Sequence, residues 1–298
     1  METFKGQSII EFYKRFKEDR DCLEYLAEKK WKKGYNCVKC GHTKFTIRSK
    51  NFARDCNMCH HIESPTANTL FHKVKFGIHK AFGIVFEMTA TTKSISAAQI
   101  SRRFEISYPT AWMFMHKVRE AMASSEQNPM NGNILVDEFV YGGKEDLKQG
   151  RSTDSKKKKI VAGIELDDKG GVKRTYFKLI KNYGSKELKK LFDSHISKEA
   201  RITTDEWTGY KPIGREYNIT QEKSNTRTFF QINTIIHQMK SWLRNVFSWM
   251  HEHHITRYLN EYSYRINRSQ SKVNIFDNLI SRMIVKNHFG YKQIRISN

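Results

Sequence analysis

No apolar run in this chain of 298 residues approaches the roughly 18 positions that a membrane helix requires. A membrane span is excluded on that ground. The opening stretch, METFKGQSIIEFYKRFKEDR, is charged throughout and has no apolar centre of the kind a secretory signal carries, so the expectation is a cytoplasmic protein. Acid is scarce as well: 31 Asp and Glu stand against 53 Lys and Arg, a formal net charge of +22 that calls for a polyanionic partner. Cysteine is limited to five residues, which without an export signal argues for thiol or metal chemistry over a disulfide framework. What is plentiful excludes a disordered basic tail, because 38% apolar and 12% aromatic residues supply ample core formers. The length fits about two or three folded units.

Residues 1–30 read as a helical lead-in, with Ile9, Phe12, Phe16, Leu23 and Leu26 at near-helical spacing and Cys22 among them as a buried structural thiol. From 31 to 65 the composition turns to Cys, Lys, Asn and His with little periodicity, as in a small knuckle held by something other than a core. Residues 66–125 return to helical periodicity and close on a helix, turn, helix pattern in 94–122, whose second helix starts near Pro109. The polar stretch 124–133 is the expected linker. Beyond it, 129–298 opens with strand-like runs at 134–142, 159–166 and 175–180, spaced for an antiparallel meander. A helical segment at 185–197 then provides the crossover that a parallel strand at 200–207 requires. Three strands, a helix, a strand and further helices is the order of an RNase-H-like fold. The predicted architecture is multidomain α+β: a zinc ribbon, a helical DNA-binding region and an RNase-H-like α/β domain with a mixed sheet.

Cys37-x-x-Cys40 and Cys56-x-x-Cys59 are separated by 15 residues, the spacing of a four-thiolate zinc ribbon. Each turn presents two sulfurs to a tetrahedral ion, which leaves no open position and makes the site structural; His42, His60 and His61 stand close by as alternative ligands. In the helix-turn-helix pattern, Arg102, Arg103, Lys117 and Arg119 are the expected DNA contacts, although helical hairpins that touch no DNA share such a pattern. The run Lys156–Lys159 is a solvated loop or a phosphate contact.

Asp137 and Asp205 each occur within a strand-like run, where a charge is costly unless it is paired or bound to metal. On adjacent parallel strands the two carboxylates can share divalent cations of the kind that drive phosphoryl transfer, Mg²⁺ or Mn²⁺. Glu138 and Glu206, directly following, are expected on the opposite sheet faces. From Phe230 to Met250 runs a long amphipathic helix on which Asn233, His237, Lys240 and Arg244 form one polar stripe.

The paired cysteine knuckles, SYPTAWMFMHKVREAM, VDEFVYGGK, ITTDEWTGY and above all RYLNEYSYRINR (257–268) together resemble the ISXO2-like insertion-sequence transposases, which couple a zinc ribbon to an RNase-H-like catalytic domain. The last segment looks like the family's YLDEF-x-x-R-x-N-R. The resemblance spans nearly the whole chain. It implies a DDE-type metal site with Asp137 and Asp205 as ligands and the third position seven residues before Lys240, which is Asn233 where many members have glutamate. His237 would then assist as ligand or phosphate contact, and Lys240 and Arg244 would position phosphates. It further implies binding of terminal inverted repeats, strand cleavage at the element ends, transfer to target DNA, and a homodimer or larger assembly in synapsis. The rival readings are a decayed or domesticated DNA-binding protein and an RNase-H-like nuclease.

Overall fold

A computed structural model describes residues 3–90, 94–143, 157–224, 227–247 and 250–296. Of the Lys156–Lys159 run, Lys156 lies outside the described residues. The chain forms two compact units: residues 1–122 together with 270–298, and residues 123–269. Residues 129–298, expected as one catalytic domain, are thus divided between the two units, with 129–269 in the second and 270–298 in the first.

In the first unit the lead-in forms α1 (Ile9–Arg15) and α2 (Asp19–Lys30). Ser8 accepts the Glu11 N–H at the start of α1, and a reciprocal cap between Glu18 and Asp21 starts α2. Cys22 is buried, as expected, and burial pushes its thiol far up. The ribbon strands β1 (Phe45–Ile47), β2 (Arg54–Cys56) and β3 (Ile62–Glu63) form an antiparallel sheet in that order. Then come α3 (Ile78–Ala90), α4 (Ala97–Phe104) and α5 (Tyr108–Met122). A Ser96–Gln99 capping box opens α4, and Glu105 in the left-handed region (φ 51°) closes it, producing the tight turn into α5.

The second unit is built on β4 (Asn133–Tyr141), β5 (Lys158–Leu166) and β6 (Val172–Ile180), the expected antiparallel meander. Helix α6 (Ser185–His195) crosses over to β7 (Arg201–Thr204), which pairs parallel with β4, and β8 (Ile219–Gln221) extends the parallel edge. The order among described strands is β6-β5-β4-β7-β8, with β4 at the centre. Helices α7 (Phe230–Val246) and α8 (Ile255–Ile266) complete the unit. Period-two alternation divides β4 between two cores: Leu135 and Phe139 pack with α7 and α8, while Ile134 and Val136 pack with α6.

The segment 257–268 serves this scaffold. Asn267 accepts the Thr175 N–H through Oδ1 at 2.7 Å and donates through Nδ2 to the Thr175 carbonyl at 3.2 Å, fixing α8 to β6. On the same helix Glu261, fully buried, pairs with Arg265 at 3.0 Å.

The chain ends in α9 (Ile275–Val285) and α10 (Tyr291–Ile296), which belong to the first unit. Phe276 of α9 packs into a cluster of rings from Phe4, Phe12, Phe16, Phe82 and Phe86.

Candidate active site

Asp137 and Asp205 follow directly the last rung of the parallel β4–β7 ladder, Val136 opposite Thr204. Beyond that rung β7 no longer covers the edge of β4, and three carboxylates meet there: one oxygen each from Asp137, Glu138 and Asp205 lies within 4.8 Å of the others. Each acid is held by a donor. Asp137 Oδ1 accepts the Glu138 N–H at 2.8 Å, and Asp205 Oδ1 accepts the Trp207 N–H at 3.1 Å. The buried Tyr210 donates its hydroxyl to Glu138 Oε2 at 2.5 Å. Burial first, then the Glu138 carboxylate, pushes the Tyr210 phenol well above its ordinary range, so it remains a donor at every working pH.

The motif TDEWTGY builds this corner. Trp207 Nε1 donates to the Tyr183 carbonyl at 2.9 Å, and Gly209 sits so close that a Cβ would stand 2.6 Å from both Trp207 Nε1 and that carbonyl. Only glycine leaves room for the turn that brings Tyr210 under Glu138. Glu206 is exposed and outside the carboxylate group. Glu138 does belong to it, although strand alternation directs its side chain to the other face of β4 from that of Asp137. Alternation along a strand predicts separation; it does not account for an open strand edge around which a long side chain can reach.

Among the expected helix residues, Lys240 reaches this end of the sheet. Its ammonium lies 4.9 Å from the centre of the Phe139 ring, and burial and Arg244 hold its pKa below the ordinary value while Asp137 acts in the opposite sense. Arg244, exposed one turn on, lines a cavity at the end of β4 with Tyr141 and Gly142. Helix α7 begins at the other end of the sheet, where Gln231 Nε2 meets the Gly170 carbonyl of the β5–β6 turn at 3.5 Å. Seven residues of helix rise about 10 Å, so Asn233 stands about that far from the level of Lys240 toward the start of β4. Asn233 and His237 are both exposed, and His237 is not part of the carboxylate group.

In the ribbon, Cys37, Cys40, Cys56 and Cys59 bring their sulfurs within 4.8 Å of one another, with Cys37–Cys59 and Cys40–Cys56 at 3.6 Å. Metal–sulfur bonds of about 2.3 Å in a tetrahedron place sulfurs about 3.8 Å apart, close to the spacing of these two pairs, so the chemistry and grouping of the four suit a zinc ion. The two knuckles are built alike: Gly41 N–H bonds the Cys37 carbonyl and His60 N–H the Cys56 carbonyl, both at left-handed φ. Burial opposes ionisation of Cys37, but the Lys39 and Cys40 N–H groups and neighbouring sulfurs hold it down to about 6. Cys40 is favoured as thiolate by the His42 N–H, yet its Cys59 and Cys56 partners and burial push it up to about 12. A dication removes that conflict. The sulfur group contains none of His42, His60 and His61.

The two residues expected to contact DNA from α5 are buried. Lys117 is 6% and Arg119 2% exposed, because α3, α4 and α9 surround this helix and bury every residue from Phe114 to Arg119. Neither is on an outer face. Arg102 and Arg103 on α4 are exposed, and Arg103 pairs with Glu87 at 2.7 Å. The exposed part of α5 is its start, at Tyr108 and Pro109.

Residues 129–267 match the family model of the ISXO2-like transposase domain. No curated protein matches the chain. The match starts within the 124–133 stretch and ends on Asn267, the residue that fixes α8 to β6, so the matched segment and the second compact unit nearly coincide. Among the described residues no helix is long and apolar enough to cross a membrane.

Proposed function

We propose that the chain is the DNA transposase of an insertion sequence: it binds terminal inverted repeats, hydrolyses a strand at each element end, and directs the freed 3′-hydroxyl onto target DNA. The observation that carries this reading is the meeting of Asp137 and Asp205 at the end of two adjacent parallel strands, inside a domain of a transposase family. The donors there are hard carboxylate oxygens, which suit Mg²⁺ or Mn²⁺ and not a thiophilic ion. A divalent cation held by Asp137 and Asp205 supplies charge stabilisation at the phosphate undergoing transfer.

Lys240 and Arg244, on the flank of the same site, position the phosphate. Glu138, held by Tyr210, is the third carboxylate at hand, and the 4.8 Å grouping supports it as the third ligand. Asn233, with His237 as its helper, is the third position that the family resemblance supports. The ribbon with its zinc ion and the helical segment with Arg102 and Arg103 serve end recognition in the cytoplasm, at the nucleoid, and synapsis of two ends calls for at least a dimer.

The test is joining of repeat-ended DNA to a target in vitro with Mg²⁺ or Mn²⁺, using the inverted repeats that flank the reading frame. Joined product supports the reading. Hydrolysis without joining would assign an RNase-H-like nuclease, and end binding with neither reaction a decayed or domesticated DNA-binding protein.

A further inference from the structure

The first unit contains a cavity of about 500 Å³ beside the start of α5. Lys73, Lys75 and Lys117 supply its charge, and Phe76, Met113 and Phe114 its apolar wall. Lys117 is the unusual member. It is 6% exposed, and its Nζ donates to His288 Nδ1 at 3.2 Å, which requires that nitrogen to be unprotonated and the imidazole neutral. Burial lowers the ammonium to about 8, with no carboxylate opposing the shift. Burial followed by the Lys117 charge likewise holds His288 below its ordinary value. Among the described residues no acid pairs with Lys73, Lys75 or Lys117.

A buried cation without a counter-charge is costly, and a chain retains one where an anion arrives from outside. Two exposed lysines at the same mouth add to the demand. The rest of the wall specifies more than a bare ion. Phe76 and Phe114 meet edge to face at 5.4 Å, and Tyr291 stands half exposed at the rim, so a small inorganic anion would satisfy the lysines and leave the aromatic side wet. A ligand with an anionic head and a flat apolar body satisfies both.

We propose that this cavity takes one nucleotide out of a DNA strand, its phosphate among Lys73, Lys75 and Lys117 and its base against Phe76, Met113 and Phe114. The choice of a DNA strand as the source rests on the reading of the chain as a transposase. Base–aromatic contact tolerates any sequence, so the site grips a frayed or displaced nucleotide without reading it, and repeat recognition is left to other surfaces.

The experiment is calorimetric titration of the full-length, zinc-loaded chain at low salt with deoxyadenosine 5′-monophosphate, with inorganic phosphate, with deoxyadenosine, and with a short oligodeoxyadenylate as competitor. The expected result is one monophosphate per chain, bound at least about tenfold more tightly than phosphate or the nucleoside and displaced by the oligonucleotide. Lys117→Met should weaken binding at least about tenfold while raising the melting temperature of the ligand-free chain, because it removes an uncompensated buried charge. Lys75→Ala, at an exposed position, should weaken binding without altering the fold and decides the matter if Lys117→Met does not fold. The proposal is overturned if the monophosphate does not bind, if phosphate binds as well as the nucleotide, if the oligonucleotide fails to compete, or if both variants bind as wild type. Asp137→Asn separates the two readings, since it should abolish joining and leave nucleotide binding intact.

Discussion

Asp137, within β4, and Asp205, directly after β7, each stand one residue past the last rung of the same parallel ladder, so the register of that ladder brings the two carboxylates to one level. Replacing either acid by its amide keeps the shape and the Trp207 or Glu138 hydrogen bond and removes only charge. Asp137→Asn and Asp205→Asn should therefore each reduce strand cleavage and joining by about 10³-fold or more with end binding nearly unchanged. Gel-shift and joining assays on the same preparations check this, and near wild-type cleavage by either variant would move the active site elsewhere.

Glu138 and Asn233 compete for the third position, and substitutions separate them. Glu138→Gln should lower cleavage about 100-fold and weaken Mn²⁺ binding, whereas Asn233→Ala should cost less than about tenfold. Tyr210→Phe leaves the Glu138 oxygen without its buried donor, a loss of about 1–3 kcal/mol in unfolding free energy. The reverse order of effects, with Asn233→Glu raising activity in Mg²⁺, would return the third ligand to α7.

The three-strand meander, the crossover and both cysteine knuckles were legible in the sequence because each rests on local spacing: period-two alternation in 134–142 and 159–166, and two sulfurs per turn; β8, three residues long, left no such pattern. The charge logic for Asp137 and Asp205 was legible for the same reason. What was not legible depends on contacts between distant segments. Lys117 and Arg119 looked like a basic face because nothing local reveals that α9, more than 150 residues later, covers α5. Alternation places Glu138 on the far side of the sheet because it says nothing about where the neighbouring strand stops.

The ribbon should depend on its ion for folding. Its core is small, Ala27, Trp31, Tyr35, Cys37 and Cys56, with the Arg54 guanidinium 4.4 Å from the Trp31 ring and 4.0 Å from Phe45. Freshly purified protein should contain one zinc per chain, and chelation or Cys37→Ser should unfold 35–62 and expose Trp31, read as a red-shifted emission, while the 123–269 unit stays folded. Purified protein without zinc would contradict this.

His195 should set part of the acid limit of the second unit. Burial, with Lys178 beside it, pushes this imidazole down to about 4, and its ring stacks on Tyr176 at 4.1 Å. The unfolded chain takes up its proton near pH 6.5, so between pH 6.5 and 4 the unfolded state holds more protons and stability falls as pH falls. The loss approaches about 3 kcal/mol at pH 4 and is absent above pH 7. His195→Phe retains a ring to stack and has nothing to protonate, so its denaturation midpoint should decline less than that of wild type across this window. Parallel slopes for the two proteins would show that His195 is not responsible.

The division of the chain makes the last prediction. Helix α9 follows the second unit in sequence yet completes the first: Phe276, Leu279, Ile280 and Met283 fall on one helical stripe and are all fully buried. Asp277 accepts from Tyr25 and pairs with Lys29, and Arg282 donates to the Ala121 carbonyl at 3.0 Å, so both ends of α9 are tied to residues before 123. A fragment cut at 123–269 leaves this stripe out and should be monomeric with a single cooperative unfolding transition. Extending it to 298 without residues 1–122 strips the partners from four apolar side chains, each worth about 1.5–3 kcal/mol when buried, and should give a dye-binding, self-associating product. Size-exclusion chromatography and a hydrophobic dye compare the two fragments directly. A 123–298 fragment as soluble and dye-silent as 123–269 would mean that α9 is held by something other than the aromatic cluster around Phe276.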